Sequence, residues 1–213
     1  MIYLTSNGLT SKNLKDHFSN NAKGGDAVII TTASVGYKEK DKHIPEIIDI
    51  LSANGYSTSF YDFEYDEKKD LSRYGLIYIL GGNPFYLMNQ INLKGIKESI
   101  LDLEMTNKII IGASAGSMIL TPSIRLVEEL DSGLNYNVKL VEMNGLGLVD
   151  FQICPHYKRF MNRFYAFEER LNKYESTIDS DLYTIRDGEA IFVKGDLIEI
   201  IKLNNTSIET LNE

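Results

Sequence analysis

The sequence predicts an α/β protein of three layers, α/β/α, with a mainly parallel, doubly wound sheet and a C-terminal antiparallel meander. Three observations predict it. Short β-branched runs, apolar on both faces, recur along the first two thirds of the chain, as strands of a covered parallel sheet do. Helical patterns separate those runs, and alternating β and α is the signature of this class. The last third then changes to short runs separated by Asp187-Gly188 and Lys194-Gly195-Asp196 at hairpin spacing.

In chain order, the expected parallel strands are Ile2 to Leu4, Ala27 to Thr32, Ser57 to Tyr61, Leu76 to Leu80 and Lys108 to Gly112. Between them lie expected helices at Lys12 to Ser19, His43 to Asn54, Pro84 to Gln90 and Lys94 to Met105. In the second helix, Ile44, Ile47, Ile48 and Leu51 fall at i, i+3, i+4 and i+7, one apolar stripe for a sheet to cover. Gly55 stands where a C-cap belongs. After a strand at Val149 to Cys154 comes a helical stretch from Lys158 to Tyr174, then the meander strands Leu182 to Arg186, Ala190 to Val193 and Leu197 to Leu203. No internal repeat or linker interrupts the chain, so residues 1–213 read as a single domain.

Composition narrows the function. The 213 residues carry 22 basic and 30 acidic side chains, a net charge of −8. Nucleic acids and anionic membranes bind through clustered Lys and Arg, so that balance favours a small-molecule ligand. Cys154 is the single cysteine, which forbids an intrachain disulfide and a zinc site built of several cysteines. The N-terminus lacks a basic and then apolar leader pattern, and no stretch approaches the ~20 apolar residues that span a bilayer, so a cytoplasmic location is expected.

The strongest chemical signal is Gly112-Ala113-Ser114-Ala115-Gly116, a G-x-S-x-G directly after the apolar run Ile109-Ile110-Ile111 and before a short helical pattern. Flanking glycines allow a turn tight enough to expose a serine Oγ at the carboxyl end of a strand, the nucleophile elbow. The N–H of Ala115 would then face the oxyanion of an attacked carbonyl. A serine hydroxyl needs a base. Of His17, His43 and His156, the last follows a strand end on the sheet edge where open α/β folds bind ligands, whereas the other two lie at ends of amphipathic helical stretches and read as solvated. The third member should be a carboxylate, and Glu128, Glu129 and Asp131 cluster between serine and histidine without the pattern choosing among them. Gly81-Gly82-Asn83 follows another apolar strand and could supply a second oxyanion donor; it lacks the spacing of a phosphate loop. Cys154 reads as a buried structural thiol.

Taken together, Ser6-Asn7 after the first strand, Gly81-Gly82-Asn83, the serine motif, Pro122-Ser123-Ile124-Arg125 and Pro155-His156-Tyr157 resemble peptidase family S51, the dipeptidase E and cyanophycinase group. The resemblance implies a fold like the class I glutamine amidotransferase domain and a serine peptidase that cleaves short, dipeptide-like substrates through an acyl-enzyme without metal or cofactor. It implies Ser114 as nucleophile, His156 as base, Glu129 as orienting acid, and the N–H groups of Gly82 and Ala115 as oxyanion hole. Asn83 is expected at the substrate. At the position where dipeptidase E carries a basic residue for an aspartyl substrate, the alignment places Phe167, with Arg163 and Arg170 one turn to either side, so an apolar N-terminal residue is expected instead. A monomer or homodimer is expected. The alternatives are a serine esterase of α/β-hydrolase type, which the 57 residues after His156 disfavour, and a ligand-binding member of the fold that has lost turnover.

Overall fold

The computed structural model describes residues 1–102 and 108–203, and the backbone of 208–210. The expected helix end at Glu104 and Met105 lies outside the described residues. In chain order the elements are β1 (Ile2–Thr5), α1 (Lys12–Asn21), β2 (Gly25–Ile30), α2 (Ile44–Ala53), β3 (Tyr56–Tyr61), β4 (Leu76–Ile79), α3 (Pro84–Lys94), α4 (Lys97–Leu101), β5 (Ile109–Ala113), α5 (Ala115–Met118), α6 (Arg125–Asp131), β6 (Gln152–Cys154), α7 (Tyr157–Arg163), α8 (Phe167–Glu175), β7 (Leu182–Thr184), β8 (Ala190–Lys194), β9 (Leu197–Ile201) and β10 (Ile208–Thr210).

The main sheet has the order β10-β9-β8-β1-β5-β4-β2-β3. Its β1, β5, β4, β2 and β3 run parallel, while β8, β9 and β10 attach to β1 in antiparallel sequence. The pleat sorts the apolar runs onto two faces, because successive strand residues point oppositely. Ile2, Leu4, Val28, Ile30, Ile77, Ile79 and Ile110 pack on one side, with α3, α5, α6 and α8. Tyr3, Ala27, Ile29, Leu76, Tyr78, Ile109 and Ile111 pack on the other, against Leu14 and Phe18 of α1 and Ile44, Ile47 and Leu51 of α2. A strand that must be apolar at every position is one covered twice. No helix among the described residues is long and apolar enough to cross a membrane.

The meander differs from its expectation at its first strand. β7 does not pair with β8; it lies parallel to β6 in a separate two-stranded sheet, with Gln152 opposite Leu182 and Cys154 opposite Thr184. The N–H of Ile185 donates to the Cys154 carbonyl and that of Tyr157 to the Ile185 carbonyl, so this sheet continues to the residue before the next turn. Asp187-Gly188 is therefore not a hairpin loop. It is the turn, closed by Glu189 N–H on the Arg186 carbonyl, through which the chain passes from the small sheet to the main one. Its lodging is the end of β1: Ser6 N–H donates to the Glu189 carbonyl at 3.1 Å and Gly188 N–H to Asn7 Oδ1 at 2.8 Å.

Candidate active site

Ser114 sits between β5 and α5 with φ 52° and ψ −111°, a backbone conformation that costs of order 1–3 kcal/mol for a residue with a side chain. The surroundings hold it there. Its N–H donates to the Thr5 carbonyl at 3.0 Å, and its carbonyl accepts from Met118 N–H at 3.0 Å. The flanking glycines are required by close approach: a Cβ on Gly116 would lie 2.2 Å from the Ile79 carbonyl oxygen, and one on Gly112 2.6 Å from the Gly116 carbonyl oxygen. β5, β4 and α5 can therefore meet only over bare backbone.

His156 follows β6 and Pro155 and opens α7 in the left-handed region, φ 58°. That turn carries the imidazole, 5 % exposed as a residue, back over the elbow. Its Nε2 lies 2.8 Å from Ser114 Oγ. Its Nδ1 meets Oδ1 of Asp187 in a short hydrogen bond. A carboxylate only accepts, so Nδ1 carries the proton and the Nε2 lone pair is turned to the serine hydroxyl. Burial pulls the His156 pKa down, Asp187 opposes that through its hydrogen bond and charge, Arg159 adds to it, and the net direction is downward. At neutral pH the imidazole is therefore neutral, as a base must be. Burial raises the Asp187 pKa, but hydrogen bonds from Ser6 and His156 and the charges of His156 and Arg159 outweigh it, and the carboxylate stays ionised below the usual range.

The carboxylate on His156 is thus Asp187, and Glu129 is a correction. Glu129 is on α6, whose buried face is Leu126, Val127 and Leu130; that leaves Glu129 exposed, with its backbone carbonyl taken by the Arg170 guanidinium. Glu128 is within 3.4 Å of Asn135 Nδ2, and Asp131 pairs with Arg163 at 3.0 Å. None of the three reaches the imidazole. The signal for Asp187 was present, an acid-glycine pair at the end of a strand, but the turn it forms is read from spacing as a hairpin.

Gly82 has φ 138°, and a Cβ there would come within 2.0 Å of the Ala33 carbonyl oxygen, so only glycine fits this turn above β4. Neither its N–H nor that of Ala115 has a protein acceptor among the described residues. Asn83 caps α3, its Oδ1 accepting from Tyr86 N–H at 3.0 Å and its Nδ2 donating to the Leu134 carbonyl at 2.8 Å. Two cavities flank the serine and share Gly82, Ser114, Leu134, His156 and Arg159. The larger, about 560 Å³, runs past Asn83, Tyr37 and Tyr78 to Asp41, His43 and Glu46. The smaller, about 130 Å³, has an apolar wall of Met118, Leu126, Val127, Leu130, Phe160 and Phe164, with Asp131 and Arg163 also lining it.

Phe167 and Arg170 line neither cavity, a second correction. Phe167 is 2 % exposed and packs under Tyr157 and Phe160, at ring centroid distances of 5.5 and 6.2 Å. The chain breaks helix between α7 and α8, with Ala166 at φ 47°, so a residue counted along one continuous helix turns into the core instead. Arg163 and Arg159, both on α7, are the cations that reach the site. His17 is not solvated; it is held between Tyr3 Oη at 3.0 Å and Glu199 at 3.2 Å, away from the serine. Cys154 is fully buried beside the smaller cavity, its thiol pushed up to about 12 by burial, and it is no thiolate nucleophile at neutral pH.

The sequence profile of Peptidase family S51 matches residues 2–201. An uncharacterized peptidase of Listeria monocytogenes, Lmo0363, is 29 % identical over 200 residues, covering 91 % of this chain and 94 % of that protein. A peptidase E of Streptomyces coelicolor is 29 % identical over 124 residues, 56 % of this chain and 49 % of its own. Among solved structures, a 1.5 Å crystal structure of a candidate peptidase E protein from Listeria monocytogenes EGD-e superposes with TM-score 0.74 at 27 % identity, covering 95 % of this chain and 98 % of that one.

Proposed function

The chain belongs to peptidase family S51, and from that premise we propose that it hydrolyses short peptides through an acyl-enzyme on Ser114, with His156 as base and Asp187 as the acid that orients it. The observation that carries the reading is the relay itself, Ser114 Oγ 2.8 Å from His156 Nε2 and Asp187 on His156 Nδ1. His156 takes the hydroxyl proton as Oγ attacks the scissile carbonyl. The oxyanion turns toward the N–H groups of Gly82 and Ala115, donors worth ~10²–10³ each in rate when preorganised. The imidazolium, stabilised by Asp187, returns the proton to the leaving amine; water, activated by the same imidazole, then releases the acyl group.

The family match supports peptide over ester substrates, and the site supports turnover over mere binding. A serine held in a costly conformation beside a neutral imidazole is built for attack and has no use in a passive ligand site. The small cavity suits one apolar side chain and the larger one the rest of a short peptide. The test is incubation with a fluorophosphonate, which should add its phosphonyl mass to the tryptic peptide containing Ser114 and stop hydrolysis of a dipeptide and tripeptide panel. Labelling elsewhere with loss of activity, or hydrolysis that survives labelling of Ser114, would overturn the reading.

A further inference from the structure

Ser6 closes a ring of hydrogen bonds that the reaction as described does not use. It is completely buried at the end of β1. Its Oγ accepts from the backbone N–H of His156 at 2.8 Å and lies 2.7 Å from Asp187 Oδ1. Since the carboxylate cannot donate, the single hydroxyl proton is committed to Asp187. Oδ1 thus receives Ser6 and His156 Nδ1 together, and Ser6 Oγ stands 3.3 Å from that same Nδ1.

Asp187 needs such a restraint. Its side chain is 39 % exposed on a turn, and a free aspartate there would exchange rotamers and water partners. The turn is tied by backbone to Ser6 and Asn7, but those bonds fix the main chain and leave the carboxylate free to rotate. Among the described residues, only Ser6 Oγ, apart from the imidazole itself, holds Oδ1 within hydrogen-bond distance; Arg159 lies 4.0 Å from the other oxygen.

We propose that Ser6 is a positioning residue of the peptidase, acting through Asp187 to hold the carboxylate in line with Nδ1 of His156. The proposal rests on the Ser114, His156 and Asp187 reading above. Small displacements of a reacting set cost up to ~10² in rate, so Ser6→Ala should lower kcat about 10- to 100-fold with KM changed less than about threefold. Ser6→Cys, which keeps a weak donor and acceptor of similar size in place, should fold and retain a kcat between wild type and alanine. The decisive readout is the double variant. If Ser6 acts through the carboxylate, Ser6→Ala in an Asp187→Ala background should cost nothing further in kcat. A folded Ser6→Ala enzyme with wild-type kcat, a folded Ser6→Cys enzyme no more active than Ser6→Ala, or a Ser6→Ala loss that persists in full without Asp187, overturns the proposal. Ser114→Ala run in parallel separates the two failures: turnover surviving there sinks the peptidase mechanism, whereas an inactive Ser114→Ala beside a fully active Ser6→Ala sinks the role of Ser6 alone.

Discussion

His156 Nδ1 and Asp187 Oδ1 are hydrogen-bonded across 31 residues of chain, the imidazole from the start of α7 and the carboxylate from the turn that enters β8. Two different sheets thus have to be docked correctly before the pair exists. The bond selects the tautomer with Nε2 free, and that nitrogen is the one 2.8 Å from Ser114 Oγ.

The first prediction follows from that selection. Asp187→Asn replaces an acceptor with a group that can also donate, so the imidazole can invert its tautomer and present N–H to the serine; a loss of ~10⁴ in kcat accompanied that fault in a trypsin-type triad. Here kcat should fall at least about 100-fold, while Glu129→Gln, exposed on the far face of α6, should stay within about twofold. Steady-state kinetics on one good dipeptide decides between them, and the opposite ranking would return the acid to α6.

Ser114→Ala should abolish hydrolysis and leave the fold in place, because the turn is held by Ser114 backbone bonds to Thr5 and Met118 rather than by Oγ. A residual rate from the oxyanion donors and binding alone, ~10³–10⁴ over water, is the most that should remain. Matching circular dichroism with a turnover near wild type would refute the nucleophile.

Activity should fall on acidification with a midpoint below the ordinary imidazole range of ~6.5, since burial favours neutral His156 in the free enzyme. The sign can be checked through its neighbours. Arg159 pushes the imidazole pKa down, so Arg159→Gln should move the acidic limb of kcat/KM to higher pH. A shift to lower pH would mean that another group governs the limb.

Much of this fold is legible in the sequence because the parallel strands are covered twice: Ile109-Ile110-Ile111 cannot alternate with polar residues when Ile110 faces one core and its neighbours the other. The elbow is legible for a local reason, the glycines that let β4, β5 and α5 touch. The acid is not. Spacing makes Asp187-Gly188 look like a hairpin loop, and only the pairing of β7 with β6, set by residues thirty apart, turns it toward His156. The position of Phe167 was illegible for a related reason: the chain leaves helix at Phe164 and re-enters at Phe167 with Ala166 left-handed, which rotates every later side chain relative to a continuous count.

The expectation of an apolar substrate residue outlives the correction of Phe167, on other grounds. The smaller cavity is walled by Met118, Leu126, Val127, Leu130, Phe160 and Phe164, and burying a Leu-, Met- or Phe-sized side chain there is worth roughly 1.5 to 3 kcal/mol. An aspartyl side chain would meet that wall and the Asp131 carboxylate, whose partner Arg163 is already engaged at 3.0 Å. To accept aspartate, Arg163 would have to exchange one carboxylate for another, and Arg159, the other cation on this cavity, faces Asp187 at 4.0 Å; with side chains 59 % and 57 % exposed, either pairing gains little. The kcat/KM for Leu-Leu and Met-Leu should therefore exceed that for Asp-Leu by about tenfold or more, the lower end of what pocket burial yields. Leu130→Asp should erase the difference by spoiling the wall. If Asp-Leu is instead the better substrate and Arg163→Ala removes that advantage, Arg163 exchanges Asp131 for the substrate carboxylate and the small cavity reads charge, not apolar bulk.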